Sequence, residues 1–160
     1  MTISRRTMIG SLGLGAVAAL VWRPEIGSAA EVGSVRLSPA EWRKRLGPQR
    51  YNILREAGTE RAYSSPLNKE RRRGTFTCAG CALPLFASAT KYDSKTGWPS
   101  FYRALPKAVV ERKDTGMFIP RTEIVCRRCG GHLGHVFDDG PPPTGLRYCM
   151  NGLALSFRPA

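Results

Sequence analysis

Two Cys-x-x-Cys pairs constrain this chain more than any other feature of its sequence. The first pair is Cys78 and Cys81, and the second is Cys126 and Cys129. Each spacing lets two sulfurs reach one ion from a tight turn, and four thiolates with no open position are typical of a structural zinc site. The pairs lie much farther apart than the roughly 15 to 20 residues of a compact zinc ribbon. We therefore predict a structural zinc ion that joins two distant parts of the fold.

The same cysteine pairs have other interpretations. They can form redox pairs or disulfides, or they can hold iron, because tetrahedral sulfur sites accept that metal as well. Redox chemistry of the thioredoxin kind is disfavoured because neither pair adjoins a βαβ pattern. Structural zinc remains the favoured interpretation.

The N-terminal part of the domain has the pattern of two short helices. Ser38-Pro39-Ala40-Glu41 is a capping box with proline at the first helical position, and this helix is expected to stop at Gly47-Pro48. A second helix is predicted over residues 49–57, with Gly58 as its stop signal.

From residue 75 onward the sequence predicts short β-strands. Runs of strand-forming residues are broken by Gly, Pro, Asp and Asn, and Asp114-Thr115-Gly116 is typical of a hairpin turn. The predicted strands are residues 75–78, 83–86, 108–112, 117–119, 123–126, 133–137 and 153–157. We predict a mainly β, mostly antiparallel domain with helices at its N-terminal end.

The first part of the chain has a separate pattern. Arg5 and Arg6 precede an uncharged run over residues 8–22, and Ser28-Ala29-Ala30 is a small-residue cleavage site. Residues 1–30 therefore resemble a twin-arginine (Tat) export signal. The uncharged run is shorter than the roughly 20 residues that span a bilayer, so no stable membrane anchor is expected. We predict that residues 31–160 form one domain in the periplasm or otherwise outside the cytoplasm.

The formal net charge of +13 raises the question of an anionic partner. Lysines and arginines are scattered, apart from Arg71-Arg72-Arg73, and no signature of a common nucleic-acid-binding module is present. We predict a solvated basic surface, no nucleic-acid partner and a monomer.

Cys149 is the one cysteine outside the two pairs. Alternate residues of an extended segment point to the same face, so Arg147, Cys149 and Asn151 project together if this stretch is a strand. A cationic neighbour favours the thiolate, which is the nucleophilic form of cysteine. We interpret Cys149 as a nucleophile, against the alternative of a buried structural cysteine.

Both histidines, His132 and His135, follow the second cysteine pair. Imidazole moves protons near neutral pH, so both are candidate acids beside a nucleophile, whereas a histidine with only a structural role is the simpler interpretation of each. Trp98 lies in the turn-rich segment Gly97-Trp98-Pro99-Ser100-Phe101. We interpret its indole as a wall for a substrate, with a buried core residue as the alternative.

Together these stretches resemble the B-type methionine sulfoxide reductases, which reduce the R epimer of methionine sulfoxide. The similarity runs from about residue 38 to residue 157. Besides the two cysteine pairs, it includes Gly58-Thr59-Glu60-Arg61, Thr96-Gly97-Trp98-Pro99-Ser100-Phe101, His132-Leu133-Gly134-His135-Val136-Phe137-Asp138-Asp139-Gly140 and Thr144-Gly145-Leu146-Arg147-Tyr148-Cys149. The resemblance implies two antiparallel sheets clipped by a four-cysteine zinc site, with short N-terminal helices (an Mss4-like or β-clip-type reductase fold).

The resemblance also implies roles for the candidate residues. Cys149 attacks the sulfoxide sulfur, Trp98 contacts the ε-methyl group, and the two histidines protonate the departing oxygen directly or through a water. Arg147 keeps the thiolate ionised, and Asn151 orients the site by hydrogen bonding. The products are methionine and a sulfenic acid on Cys149, which is the reversible first step of thiol oxidation.

Two positions depart from the family pattern. Many members carry a second, resolving cysteine where this chain has Thr96, and no cysteine is left once Cys149 and the four presumed zinc ligands are counted. We therefore expect an external thiol, such as a thioredoxin-like protein, to reduce the sulfenic acid. The second departure is Gly152-Leu153-Ala154, where the family tends to have small residues with serines, and it changes the packing behind Cys149.

Two other functional classes compete with this interpretation. A zinc-dependent binding module explains the cysteine pairs but leaves Cys149, the histidines and Trp98 without a role. A periplasmic thiol–disulfide oxidoreductase would use the Cys-x-x-Cys pairs, and one zinc ion held by all four thiolates would exclude it. The sequence favours a reductase that acts chiefly on methionine sulfoxide in oxidised proteins.

Overall fold

The computed structural model describes residues 32–116 and 120–160. The predicted export signal at residues 1–30 and the predicted strand at residues 117–119 lie outside the described residues. In the described part of the chain, no helix combines the length and the apolar character that crossing a membrane requires.

The helix α1 (Pro39–Glu56) precedes the strands. The Ser38 side chain accepts a hydrogen bond from the Glu41 N–H, and the Glu41 carboxylate accepts one from the Ser38 N–H at 2.7 Å. This confirms the predicted capping box. Gly47 has φ 68° and ψ 171°, so the helix is interrupted at the predicted break before Pro48.

The C-terminal end of α1 differs slightly from the prediction. Ala57, rather than Gly58, adopts the left-handed conformation, with φ 52°. The N–H groups of both residues donate to the Asn52 carbonyl, which accounts for the stop one residue earlier. The helix carries four buried apolar side chains: Trp42, Leu46, Ile53 and Leu54.

Two antiparallel sheets follow α1 in the described residues. One sheet has the strand order β2-β1-β9, and the other has the order β3-β4-β8-β7-β6-β5. The strands are β1 (Gly74–Cys78), β2 (Pro84–Ala87), β3 (Lys91–Tyr92), β4 (Ser100–Phe101), β5 (Val109–Asp114), β6 (Arg121–Cys126), β7 (His132–Phe137), β8 (Arg147–Met150) and β9 (Leu155–Pro159). Helix α1 contacts β7 and the short 3-10 helix Gly152–Ala154 that follows β8.

The predicted strands, apart from residues 117–119, are confirmed. β9 begins at Leu155 because the preceding residues form the 3-10 helix Gly152–Ala154. The sequence pattern missed β3 and β4, which have two residues each and are too short to show a period of two.

Three phenylalanines tie the sheets together. Phe76 on β1 and Phe86 on β2 belong to the smaller sheet, and Phe101 on β4 belongs to the larger one. Phe86 and Phe101 stack with ring centroids 4.3 Å apart, and Phe76 meets Phe101 edge-on at 4.9 Å. All three are fully buried, so the core lies between the sheets and the opposite face of the larger sheet is left for a site.

Candidate active site

The four paired cysteines converge on one point. Their sulfurs all lie within 4.8 Å of one another, and all four residues are buried. The Cys78 and Cys129 sulfurs are 3.7 Å apart, and those of Cys81 and Cys126 are 3.5 Å apart. Tetrahedral zinc with Zn–S bonds of about 2.3 Å separates its sulfurs by about 3.8 Å, close to the two distances above, so the cluster fits a structural zinc ion.

This cluster joins the two sheets. Cys78 ends β1 in the smaller sheet, and Cys126 ends β6 in the larger one. The sulfur contacts run from one pair to the other, and all four cysteines are free of disulfides. The arrangement favours one shared metal site over two separate redox pairs.

Cys149 lies in the middle of the larger sheet, on β8 between β4 and β7. Its register partners are Ser100 on β4 and His135 on β7. Arg147 and Cys149 are half-buried, whereas Tyr148 and Met150 face the core. The condition for the predicted alignment is met because residues 147–150 form a strand, and Arg147 and Cys149 share the face away from the core.

A β-bulge brings both histidines to the Cys149 face. Residues three apart in a regular strand point to opposite faces. In β7, however, Gly134 pairs with Ile124 and His132 with Val125, so Leu133 is an extra residue. This insertion returns His132 to the face of His135, and the two imidazole centroids are 5.5 Å apart.

Gly134 sets the spacing between β7 and β8 at the nucleophile. A Cβ atom at this position would overlap the Cys149 carbonyl oxygen and approach the Met150 Cα at 3.0 Å. Only glycine lets β7 approach the Cys149 backbone this closely.

Asp114, at the end of β5, organises the environment of His135. Its Oδ2 lies 2.8 Å from His135 Nε2 and accepts a hydrogen bond from Arg121 Nη2 at 2.8 Å. The Gly116 N–H, His135 and Arg121 hold the pKa of the Asp114 carboxyl well below its usual range. Burial lowers the pKa of His135, and its hydrogen bond to Asp114 opposes that shift.

His132 is held by a different carboxylate. Its Nδ1 lies 2.7 Å from Glu123 Oε1, and only 5% of the residue is exposed. Its Nε2 is buried and has no hydrogen-bond partner among the described residues. That nitrogen can therefore form a hydrogen bond with a water or with a substrate atom beside the two histidines.

A cavity of about 130 Å³ opens beside Cys149. Its walls are formed by seven other residues: Thr59, Trp98, Arg121, Gly134, His135, Phe137 and Asn151. Trp98 donates from its indole Nε1 to the Glu60 carbonyl at 3.1 Å, which fixes the ring. The predicted nucleophile, one predicted acid, Trp98 and Asn151 therefore meet at one cavity.

Asn151 links β8 to the segment that holds Trp98. Its Oδ1 accepts a hydrogen bond from the Glu60 N–H at 3.0 Å, and its Nδ2 donates to the Leu133 carbonyl at 3.3 Å. The buried Glu60 carboxylate accepts the N–H groups of Gly152 at 2.5 Å and Leu153 at 2.9 Å. The departure at residues 152–154 is thus a 3-10 helix anchored by Glu60.

Arg147 reaches Asp139 rather than the cavity wall. Its Nε and Nη2 donate to the two Asp139 oxygens at 2.8 Å each, and its guanidinium lies over the Phe137 ring at 4.3 Å. The hydrogen bonds to Asp139 raise the pKa of Arg147, and the charge of Cys149 adds to this effect. Arg121 is a second cation, and it lines the cavity directly.

Thr96 lies next to the nucleophile. Its Oγ1 is 3.8 Å from Cys149 Sγ and 2.8 Å from Ser94 Oγ. The Ser94 hydroxyl is 2.7 Å from that of Ser100, which donates to the Trp98 carbonyl. The departure at Thr96 therefore places a hydroxyl beside Cys149, and this hydroxyl is linked through Ser94 to Ser100 by hydrogen bonds.

Sequence reasoning missed the residues that hold the predicted ones in place. Asp114 was interpreted only as part of a turn, and Glu60 only as part of a family motif. Arg121, Glu123 and Ser94 received no role. Each of these residues contacts a residue that is distant in sequence, so spacing along the chain does not reveal its role. Only Glu123 offered a signal, because it is an acidic residue inside a predicted strand.

Comparisons with known proteins identify the family of this chain. A family model described as the SelR domain matches residues 46–159. The peptide methionine sulfoxide reductase MsrB of Thiobacillus denitrificans is 57% identical over 121 residues, which cover 75% of this chain and 92% of the relative. The protein of that name from Leptospira interrogans is 52% identical over 125 residues, covering 78% and 95%. The one from Agrobacterium fabrum is 52% identical over 126 residues, covering 78% and 93%. The chain therefore belongs to the SelR-domain family of MsrB peptide methionine sulfoxide reductases.

Proposed function

We propose that this chain reduces methionine-R-sulfoxide to methionine, with Cys149 as the nucleophile. The observation that carries the proposal is the pairing of Cys149 with His135 across β8 and β7, at a cavity that Trp98 also lines. A nucleophile, an acid and an apolar wall thus face one space large enough for a thioether group.

The reaction transfers one oxygen atom between two sulfurs. The Cys149 thiolate attacks the sulfoxide sulfur, the sulfoxide oxygen takes up a proton, and the oxygen moves to the cysteine. Methionine leaves, and Cys149 becomes a sulfenic acid, so the cysteine is oxidised by two electrons as the sulfoxide is reduced. The Trp98 ring fits the methyl group, which selects one configuration at sulfur.

His135 is the better placed proton donor. It is directly opposite Cys149 in the register, and burial lowers its pKa, which makes its protonated form a stronger acid. The His132 ring centroid lies 5.5 Å from that of His135, and its Nε2, which has no partner in the described part of the chain, can hold a water beside the two histidines. Asn151 orients this region, Arg121 places a positive charge at the wall of the cavity beside Cys149, and Arg147 lies on the same face of β8.

An external thiol completes the cycle. The first thiol condenses with the sulfenic acid to give a mixed disulfide and water, and a second thiol releases Cys149 and forms the donor disulfide. Apart from Cys149, the cysteines of this chain are buried in the metal cluster. We therefore assign the reductant role to a thioredoxin-like protein or another thiol, and the substrate role chiefly to oxidised proteins.

A single-turnover assay tests this function. The zinc-loaded domain is mixed with each epimer of a peptide methionine sulfoxide without reductant, and methionine formed and thiols lost are counted. We expect one methionine per chain from the R epimer alone, one thiol lost, and Cys149 trapped by a sulfenic-acid reagent. Cys149→Ser should give no methionine, while Ser64→Ala, a change on the surface, should behave as the wild type. No product from either epimer would refute the proposal.

We also propose that residues 1–30 direct export by the twin-arginine route and that residues 31–160 work outside the cytoplasm as a monomer without a membrane anchor. The twin arginine and the cleavage site support this, and the family match begins only at residue 46. Fractionation of cells that express the full chain, with N-terminal sequencing and sizing of the exported form, tests it. Replacing Arg5 and Arg6 by lysine should leave the protein uncleaved in the cytoplasm; unchanged export would contradict the proposal.

A further inference from the structure

A second cavity lies against Trp98, apart from Cys149. Its volume is about 400 Å³, and Trp98 and Gly97 form part of its wall. The walls also include Tyr63, Lys69, Arg71, Lys91 and Asp93. Because Trp98 lines both cavities, a polypeptide whose oxidised methionine enters the first one passes beside the second.

The charge of this cleft is mainly positive. Lys69 and Arg71 are exposed, and neither forms a salt bridge with any described residue. Lys91 is half-buried, and burial together with the Arg71 charge lowers its pKa. Asp93 is the acidic wall residue, and its Oδ2 is already paired with Lys95 at 2.7 Å. The cleft therefore presents cations without enough carboxylates to balance them.

Tyr63 forms a rigid, exposed rim to the same cleft. It is 72% exposed, yet its hydroxyl donates to the Lys95 carbonyl at 2.7 Å and its N–H donates to the Gly97 carbonyl at 2.7 Å. Its φ of 63° is in the left-handed region, which is unfavourable for a bulky residue. Gly97 allows this packing, because a Cβ there would lie 2.9 Å from the Tyr63 ring. An aromatic ring held in place and left exposed is typical of a contact surface.

We propose that this cleft docks an acidic stretch of the substrate polypeptide, next to the oxidised methionine. The carboxylates of the substrate lie among Lys69, Arg71 and Lys91, while its backbone or an apolar side chain lies on Tyr63. The inference rests on the proposed function and adds a preference among protein substrates to it. Free methionine sulfoxide is too short to use this surface.

Two peptides of equal length test the proposal. Each peptide carries a single methionine-R-sulfoxide, which is flanked by glutamates in the first peptide and by glutamines in the second. Single-turnover rates are measured without reductant at sub-saturating peptide concentrations. We expect the glutamate peptide to react about five- to tenfold faster at low salt, and the difference to disappear near 1 M salt, where the Debye length is about 3 Å. Omitting the reductant keeps any docking of the thiol donor out of the result.

The double variant Lys69→Gln/Arg71→Gln should lose the preference and keep the rate on free methionine sulfoxide. The matched control Lys44→Gln/Arg112→Gln removes two exposed cations from α1 and β5 and should keep the preference. Equal rates for the two peptides, or a preference that survives the double variant, would overturn the inference.

Peptide binding, measured by fluorescence anisotropy, separates this inference from the proposed function. If neither epimer is reduced but the glutamate peptide still binds more tightly than the glutamine peptide, and Lys69→Gln/Arg71→Gln abolishes the difference, docking stands and the reductase proposal fails. A labelled single-stranded oligonucleotide that binds this cleft more tightly than the glutamate peptide would point to nucleic acid instead and overturn the inference.

Discussion

At the scale of single residues, the site depends on carboxylates that hold its histidines. Asp114 accepts hydrogen bonds from Arg121 and the Gly116 N–H, and its Oδ2 lies 2.8 Å from His135 Nε2. A histidine donates a proton only in its charged form, so the fraction of His135 available as an acid depends on its pKa. With His135 as the proposed acid, we therefore expect the balance between burial and the Asp114 charge to set the pH range of the reaction.

Asp114→Asn should move this pH range downward. The amide keeps an acceptor for Gly116 but removes the negative charge, and Arg121 is left without its partner. Both changes lower the pKa of His135 further. We expect the limb on which the single-turnover rate falls with rising pH to shift to lower pH, and the rate at pH 7 to fall about tenfold for a shift of one unit. Asp138→Asn, at an exposed position, is the control; an unmoved limb in Asp114→Asn would remove His135 from the acid role.

Thr96 is close enough to Cys149 to test how the sulfenic acid is resolved. The two side chains are 3.8 Å apart. Thr96→Cys should therefore allow a disulfide between position 96 and Cys149 after one turnover. We expect two thiols lost per methionine, against one in the wild type, and faster recycling by a dithiol reductant. Ser94→Cys, which contacts Thr96 and not Cys149, is the matched control, and a single thiol lost in Thr96→Cys would contradict the geometry.

At the scale of elements, the segment after α1 that contains Glu60 holds the end of β8 in place by hydrogen bonds. Glu60 connects to β8 through Asn151, to the 3-10 helix Gly152–Ala154 through its carboxylate, and to Trp98 through its carbonyl. One short segment thus holds both the Trp98 ring and the backbone that follows Cys149. Because these contacts are made by hydrogen bonds to buried groups, they are costly to remove.

Glu60→Ala should weaken both the fold and the reaction. It leaves the N–H groups of Gly152 and Leu153 without their acceptor, which should lower the free energy of unfolding by about 2 to 3 kcal/mol. We expect single-turnover reduction to slow as well, because the 3-10 helix behind Cys149 loosens. Urea unfolding measures the first effect. Glu111→Ala, at an exposed position of β5, should stay within about 0.5 kcal/mol of the wild type; equal stability of the two variants would show that Glu60 does not anchor the helix.

At the scale of the whole molecule, the metal cluster and the aromatic core are two links between the sheets. The phenylalanines join β1 and β2 to β4, and the four cysteines join the end of β1 to the end of β6. The nucleophile lies on β8, between these two links in the larger sheet. The metal site therefore acts on the reaction only through the geometry of the sheet.

Removing the metal should destabilise the whole domain. Binding energy at a structural zinc site is largely folding energy, so chelation should lower the free energy of unfolding by at least about 5 kcal/mol. Guanidinium unfolding with and without chelator, together with metal analysis, checks this. We expect one zinc ion per chain in the wild type and in Cys149→Ser, and none in Cys126→Ser. A metal-free domain of unchanged stability would contradict the structural role.

Much of this protein could be predicted from local sequence. The cysteine pairs, the capping box and the break at Gly47 act through neighbouring residues, so their spacing alone specifies them. The alternation of Arg147 and Cys149 on one face of β8 follows in the same way, because the period of a strand is a local property.

Only the tertiary structure determined how these parts meet. The bulge at Leu133 places both histidines on the face of Cys149, Asp114 contacts His135, and Glu60 anchors the 3-10 helix. All three features depend on register between strands or on contacts between distant segments. Strands β3 and β4 are too short to show a period, and only the pairing of β3 with β4 and of β4 with β8 defines them. The sequence by itself determined which chemical groups this protein has, because composition and spacing are local. Tertiary structure decided which of them act together, because hydrogen bonding and burial join residues that the chain keeps apart.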